Sequence, residues 1–300
     1  MKTTLDELLA LRTVVDTGSI TAAAAQLGQT ASGISRALRR LESKLGTTLL
    51  NRTTRRLSLS EEGHAFLARA REILAALDEA EQLMFLRRGQ PAGRLRVNAA
   101  PPFMLHVVAP LVAAFRAQHP LVELELNTDD LTIDLLEQDT DVALRIGPLA
   151  DSTLRARPLG HSALRVLASP DYLKTHGRPR DVAQLVARHV LLGFNQPESL
   201  NLWPLRGPQG DRLRIVPAVK ASSGETLRRL ALEGVGIASL SDFLTAADRH
   251  SGKLVQVLPR ETVQVLQPIH AVFYRHAQPS SRIAVFLDFL AARIAEAPWR

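Results

Sequence analysis

The stretch Ser19–Gly46, SITAAAAQLGQTASGISRALRRLESKLG, constrains the chain most. Ile20, Ala23, Ala24 and Leu27 recur at the spacing of one helix face. Ser19 stands where an N-cap belongs, and Gly28 where a helix ends in a left-handed glycine. Thr30 then caps a second segment, in which Ile34, Leu38, Leu41 and Leu45 form one apolar stripe. At about 100° per residue, Ser32, Arg36, Arg39 and Ser43 point the opposite way. A small alanine-rich helix therefore meets, across a tight turn, a helix with an oily back and a front of hydroxyls and arginines. Such a pair suits a helix-turn-helix, whose second helix enters the major groove. Two ordinary surface helices would look the same, so the neighbouring residues decide.

Charge is the first of these. The chain of 300 residues carries a net +7, and residues 1–60 alone hold nine basic against four acidic groups. A local excess of this kind fits a polyanion bound through its phosphates. There is no cysteine, which excludes disulfides, thiol catalysis and thiolate-bound metals. No apolar run approaches the roughly 20 residues of a membrane span. Asp6 and Glu7 interrupt the first apolar segment, so no signal peptide is expected and the expected location is cytoplasmic, with no membrane partner.

Upstream, Thr4-Leu5-Asp6-Glu7 is a capping box that opens a first helix, with Leu8, Leu11 and Val15 as its core stripe and Gly18 as its stop. Downstream, Leu57 and Leu59 alternate with polar residues as in a strand. Arg52-Thr53-Thr54-Arg55-Arg56 would form the tip of a β-hairpin wing, either a solvated basic loop or, beside an arginine-faced helix, a contact to flanking DNA. Ser60 caps the next helix, in which Phe66, Ala70, Ile73, Leu77, Ala80 and Met84 keep a heptad spacing. That seam is expected to dimerise, over a helix of about 40 Å at 1.5 Å per residue. Arg87–Gly93 breaks the pattern. The expected divisions are a winged helix-turn-helix at 1–60, a linker helix at 61–88, a hinge at 89–93 and a regulatory domain at 94–300.

The run Ser19–Leu27, then Thr30-Ala31-Ser32-Gly33-Ile34-Ser35-Arg36, Leu41-Glu42-Ser43-Lys44-Leu45-Gly46, Leu49-Leu50-Asn51-Arg52 and Leu59-Ser60-Glu61-Glu62-Gly63 resembles the LysR-type transcriptional regulators. The resemblance covers residues 1–65 almost continuously. It implies an α/β fold with an α-rich N-terminal part: a winged helix-turn-helix, a dimerisation helix and a two-lobed effector domain like a periplasmic binding protein. It implies double-stranded operator DNA and a small-molecule effector as partners. It also implies a homodimer that pairs into a homotetramer, with RNA polymerase as a further partner and no cofactor. The DNA-contact candidates are Thr30, Ser32, Ser35, Arg36, Arg39, Arg40, Arg52, Thr53, Thr54 and Arg55. Ala31 replaces a glutamine common in the family, which removes an amide suited to adenine. Gly33 replaces a usual alanine and weakens the helix slightly.

From residue 94 strands and helices alternate, which predicts a parallel sheet covered on both faces. Strands are expected at 95–99, 121–126, 142–146, 164–168, 190–194, 215–221, 236–240 and 271–274. Helices are expected at 103–119, kinked at Pro110, and at 131–137 and 280–295. Lobe I would comprise about 94–162 and 271–300, and lobe II about 163–270. Ligands sit beyond the carboxyl ends of such strands. The effector-contact candidates are Ala100, Pro101, Phe103, Arg145, Gly147, Phe194, Ser222 and Ser223. Arg145 suits a ligand charge or a structural ion pair, and Phe194, Ser222 and Ser223 suit core or cap as well as ligand. Ser222–Thr226 precedes a helix whose amides can meet an anion. Relatives grip a carboxylate with a hydroxyl near the first helix start of this domain, and Ala99-Ala100-Pro101-Pro102 has none. The nine histidines form no close ligand pair, and no G-x-S-x-G or G-x-x-x-x-G-K is present. Gly234-Val235-Gly236 reads as a turn, so no catalytic residue and no metal site is expected. An enzyme or solute-binding protein on the same α/β scaffold is the alternative; it would not hold DNA in a salt-dependent way.

Overall fold

The computed structural model describes residues 2–52, 57–86, 91–128, 140–149, 155–207, 210–273 and 280–299. The chain divides into two compact units, one built on residues 1–93 and the other on 94–131 and 142–300.

The first unit opens with α1 (Leu5–Thr17), α2 (Ile20–Gln26) and α3 (Ala31–Leu45). Each begins at the cap read from the sequence. Thr4 and Glu7 close a capping box on α1, Ser19 accepts from Ala22 N, and Thr30 accepts from Gly33 N at 3.1 Å. Gly18, Gly28 and Gly46 all take positive φ where these helices stop. Leu11, Val14, Ala23, Ile34, Leu38 and Leu41 are buried together in one core. Each large aliphatic side chain there contributes about 2 kcal/mol. The expected stripe on α3 needs one correction. Leu45 is exposed, while Ala37 is buried. Ala37 lies on the side of Leu41 that faces the other helices, and Leu45 extends past their edge.

The wing follows as β1 (Leu50–Arg52) and β2 (Leu57–Leu59), antiparallel with Leu50 opposite Leu59 and Arg52 opposite Leu57. Residues 53–56 lie outside the described residues. Glu42 holds the entry to the wing: its Oε1 accepts from Leu49 N at 3.0 Å and from Leu50 N at 3.1 Å. Then comes α4 (Glu61–Leu86), capped by Ser60, whose Oγ accepts from Gly63 N and donates to Thr48 O. At 26 residues it has the length expected.

Its expected dimer seam is corrected in part. Ala70 is buried against Leu8 and Leu74, with Phe66 and Leu9 packed beside them, and Phe66 also touches the helix-turn-helix core. Phe66 and Ala70 therefore serve the chain's own unit, because α1 already supplies the partner surface. Arg71, 7% exposed, fixes the same contact through an ion pair of 2.5 Å to Asp16. Ile73, by contrast, is 52% exposed, Leu77 is half-buried and Ala80 is exposed. The side chain of Met84 lies outside the described residues.

In the second unit β3 (Gly93–Ala99) starts inside the expected hinge, of which 89–90 lie outside the described residues. It leads to α5 (Pro101–Phe103), a π-helical turn Met104–Val108, and α6 (Ala109–Gln118). The expected kink at Pro110 takes the form of that wider turn, with Ala109 N donating to Met104 O. A π turn relieves the clash of a proline ring with the preceding turn. There follow β4 (Val122–Thr128), β5 (Val142–Ile146), β6 (Arg155–Ala168), α7 (Pro170–His176), α8 (Val182–Arg188) and β7 (Leu191–Phe194). The helix expected at 131–137 lies outside the described residues. The rest is β8 (Leu202–Trp203), β9 (Leu213–Arg214), β10 (Val219–Ala221), α9 (Gly224–Leu232), β11 (Ile237–Ser241), α10 (Asp242–His250), β12 (Val255–Gln256), β13 (Leu266–Phe273) and α11 (Ser281–Ala295).

The main sheet runs β10-β7-β11-β6-β13-β5-β3-β4, with β12 beside β6. The fold is the two-lobed α/β arrangement expected, but the sheet is mixed rather than parallel. The pairs β10–β7, β7–β11 and β3–β5 are parallel, whereas β6 and β13 run antiparallel to their neighbours. These two long strands pass between the lobes, so neither lobe closes without them. The core lies between the sheet and α6, α9, α10 and α11, around Phe103, Phe115, Leu144, Leu240, Phe286 and Leu290. No single helix among the described residues is long and apolar enough to cross a bilayer.

Candidate functional site

Burial of Ile34, Leu38 and Leu41 fixes the rotation of α3 and turns Ser32, Arg36, Arg39 and Ser43 to solvent. Thr30 Oγ1 and Ser32 Oγ lie 3.2 Å apart at the start of this face. Arg36 Nε donates to Ser32 O at 3.2 Å, which ties the guanidinium along the helix. Ser35 is half-buried. Arg40 is 63% exposed, and its Nε sits 3.6 Å from Glu7 Oε1, so it is shared between solvent and α1. Of the wing candidates, Thr53, Thr54 and Arg55, like the side chain of Arg52, lie outside the described residues.

Glu7 is the residue behind this face that the capping box did not fully reveal. Its carboxylate is 2% exposed and accepts from Lys44 Nζ at 2.8 and 2.9 Å, while Lys44 also donates to Lys2 O. Burial alone raises the Glu7 pKa. The hydrogen bond from Lys44, with those from Thr4, outweighs it and holds the carboxyl below its usual range. A depressed folded pKa contributes stability above the unfolded carboxylate range, lost as pH falls through the folded value. Glu7→Gln is expected to cost about 2 kcal/mol at pH 7, since breaking a fully buried pair costs more and Lys44 retains some water. The gap between wild type and variant should close as the pH falls below the usual carboxylate range. Far-UV circular dichroism in urea would measure it, because Trp203 and Trp299, the two tryptophans, belong to the other unit. A gap independent of pH would remove Glu7 from this role.

In the second unit a cleft of about 350 Å³ opens at the carboxyl ends of β5, β7, β10 and β11. It brings together five candidates: Ala100, Phe103, Arg145, Phe194 and Ser222. The other three do not line it, and their roles are corrected. Pro101 stands beside Pro102, which does. Gly147 donates its N–H to Pro268 O of β13, which extends the β5–β13 pairing. Ser223 caps α9, accepting from Glu225 N at 3.2 Å. The sequence reading missed the loop Gln196-Pro197, Ser199, Leu200 and Leu202, the strand end Ser239-Leu240-Ser241, and Phe243, Leu244, Arg212 and Gln267. Loop and strand ends converge here through crossovers, a signal absent from local periodicity. Arg145 Nη1 donates to Asn98 Oδ1 at 2.9 Å and to Leu144 O at 3.3 Å, so it is anchored to the sheet.

Next to the cleft, Glu225 of α9 reaches His106 of the π turn at 2.7 Å and Arg228 at 2.7 Å. Arg228 goes on to the buried Asp248 at 2.6 Å. Burial raises the Glu225 pKa, but the hydrogen bonds from His106 and Arg228 outweigh it and lower it. The Asp248 hydrogen bond in turn holds the Arg228 pKa up. This chain of hydrogen bonds joins helices of the two lobes. Among the described residues no group of three or more His, Asp or Glu side chains is placed to hold a metal.

A winged helix-turn-helix with an exposed arginine face, in one chain with a two-lobed α/β domain carrying a cleft, defines a DNA-binding transcriptional regulator with a ligand-type regulatory domain. The family models agree: residues 5–64 match the bacterial regulatory helix-turn-helix protein, lysR family, and residues 88–295 the LysR substrate binding domain. The chain belongs to the LysR-type transcriptional regulators. It is 46% identical over 294 residues to the HTH-type transcriptional regulator CrgA of Neisseria meningitidis, covering 98% of each chain. The solved structure of CrgA superposes with a TM-score of 0.66 over 98% of this chain and 99% of that one. The full-length structure of AphB, described as a Vibrio cholerae virulence activator, is 29% identical, with a TM-score of 0.60 over 97% and 99% of the two chains.

Proposed function

We propose that this regulator reads an operator through the front of α3 and is switched by a small molecule held in the cleft of its second unit. The observation that carries the DNA half is the exposed row Ser32, Arg36 and Arg39 on a helix whose back is locked in the core. Thr30, Ser35 and Arg40 border that row and would add phosphate contacts. The wing residues Arg52, Thr53, Thr54 and Arg55 would lie along the flanking backbone. Two copies would pair along the rest of the α4 heptad, through the exposed Ile73 and Ala80 and the half-buried Leu77, with Met84 continuing the heptad, so that two recognition helices face an inverted repeat. Pairs of dimers, and contact with RNA polymerase, would convert ligand binding into a change of DNA bend. The DNA target supports a cytoplasmic, non-catalytic role.

The test of the DNA half is the salt dependence of operator binding by fluorescence anisotropy. Binding should weaken steeply with salt, and Arg55→Ala should reduce the slope of log K against log salt by about one, the signature of one lost phosphate contact. A salt-independent interaction would remove the DNA reading; an unchanged slope in Arg55→Ala would remove the wing from the interface.

A further inference from the structure

The turn before α3 holds a further residue suited to reading bases, given the reading of α3 as the helix that enters the groove. A recognition helix meets base edges with the residues at its N-terminal end. In this chain that end is nearly bare. Ala31 and Gly33 carry no polar side-chain group, and Ile34 is buried. Thr30 Oγ1 is taken by the cap, accepting from Gly33 N, and lies 3.2 Å from Ser32 Oγ. Ser35 is half-buried. Arg36, more than a turn into the helix, is the first long polar side chain that α3 itself supplies.

Gln29 fills that gap from outside the helix. The turn fixes its backbone: Gly28 takes a φ of 63°, and Gln29 N donates to Ala24 O at 2.9 Å. The side chain is exposed and folds over the first turn of α3, where its Oε1 lies 3.8 Å from the place a Cβ on residue 33 would take. Its amide makes no hydrogen bond with a described residue, so both of its ends face solvent. Gln29, Ser32, Arg36, Arg39 and Ser43 follow one another at spacings of 3, 4, 3 and 4, so Gln29 prolongs the exposed row beyond the helix start. A side-chain amide both accepts and donates. Phosphate oxygens only accept, and would leave the amide oxygen unused. Adenine in the major groove uses both ends, giving N6–H to the amide oxygen and taking the amide N–H at N7.

We propose that Gln29 determines base specificity, reading one adenine in each operator half-site through its side-chain amide. The probe is a library of duplexes with randomised half-sites, selected separately by the full-length wild type, Gln29→Ala and Arg36→Ala and then sequenced. Gln29 is exposed in a turn, so Gln29→Ala should keep the wild-type far-UV circular dichroism and unfolding midpoint. The wild-type motif should carry an adenine in each half-site that Gln29→Ala no longer enriches, while the other positions persist. Replacing that adenine by 7-deazaadenine, which lacks the N7 acceptor, should weaken the wild type about ten-fold in anisotropy and leave Gln29→Ala unmoved. A base other than adenine at the position that Gln29→Ala releases, or equal sensitivity of the two proteins to 7-deazaadenine, would overturn the adenine contact. A Gln29→Ala motif identical to the wild-type one, with the Arg36→Ala motif altered, would overturn the role of Gln29 and leave α3 as the reading helix. No enriched motif from the wild type, or one that neither substitution changes, would overturn the reading of α3 itself.

Discussion

Arg36→Ala is expected to weaken operator binding by about 2 kcal/mol, roughly thirty-fold, while leaving the fold intact. The side chain is exposed on the front of α3, and its only described hydrogen bond runs from Nε to the Ser32 carbonyl four residues back. That bond directs the guanidinium along the helix and leaves the terminal nitrogens to face a base edge or phosphate. Alanine is at least as good a helix former as arginine, so no stability is lost at an exposed position. The measurement is anisotropy on the operator and on a panel of operators with single base changes. A base contact predicts that the variant loses most affinity on the native sequence and least on those altered at one position. Uniform loss across the panel would make Arg36 a phosphate contact, and unchanged affinity would remove it from the interface.

The features that the sequence displays plainly are those decided within a few residues. The caps Thr4, Ser19, Thr30 and Ser60 each act on an amide two or three residues away, and all four do so in the structure. The rotation of α3 was legible for the same reason, since a 3.6-residue period fixes which side is apolar. What the period cannot say is which surface lies opposite. The heptad from Phe66 to Met84 would look the same whether a second copy or α1 filled its seam, and α1 fills the first turns, burying Ala70 and Leu74. Leu45 belongs to the stripe but extends past the end of its neighbours. Both errors come from reading one partner of a contact.

Strand direction was hidden in a similar way. Most strands of the second unit were located to within a few residues, although β6 begins nine residues and β13 five residues ahead of the expected starts and the strand expected at 215–221 forms only at 219–221; nothing in an alternating pattern tells a parallel from an antiparallel pair. β6 and β13 run antiparallel to their neighbours because they carry the chain from one lobe to the other and back. The cleft depends on that crossing. Ala100, Phe103 and Arg145 were legible because they stand at or just after the carboxyl ends of strands, and Phe194 and Ser222 for the same reason. Ser239, Ser241 and Gln267 reach the cleft only through the topology, and Ser239 looks in the sequence like any small strand residue.

Gly63→Ala is expected to destabilise the DNA-binding unit by about 3 kcal/mol, even though alanine favours a helix over glycine by about 1 kcal/mol. Gly63 lies in the first turn of α4, and its backbone approaches the wing so closely that a Cβ would sit 2.1 Å from Leu49 O and 3.0 Å from Leu59 Cδ2. Leu49 O cannot retreat freely, because it accepts from Ser60 N at 3.0 Å while Leu49 N donates to Glu42. Relief of the clash would shift α4 off the strand and break the Ser60 cap with it. Gly33→Ala in α3 provides the control. Its Cβ would meet Thr30 Oγ1 at 3.2 Å and Gln29 Oε1 at 3.8 Å, both ends of rotatable side chains, so helix propensity and cap strain nearly cancel. Urea unfolding followed by far-UV circular dichroism should show Gly33→Ala close to wild type and Gly63→Ala with a much lower midpoint for the helical unit. Comparable midpoints for the two variants would mean that α4 and the wing do not meet as closely as Gly63 implies.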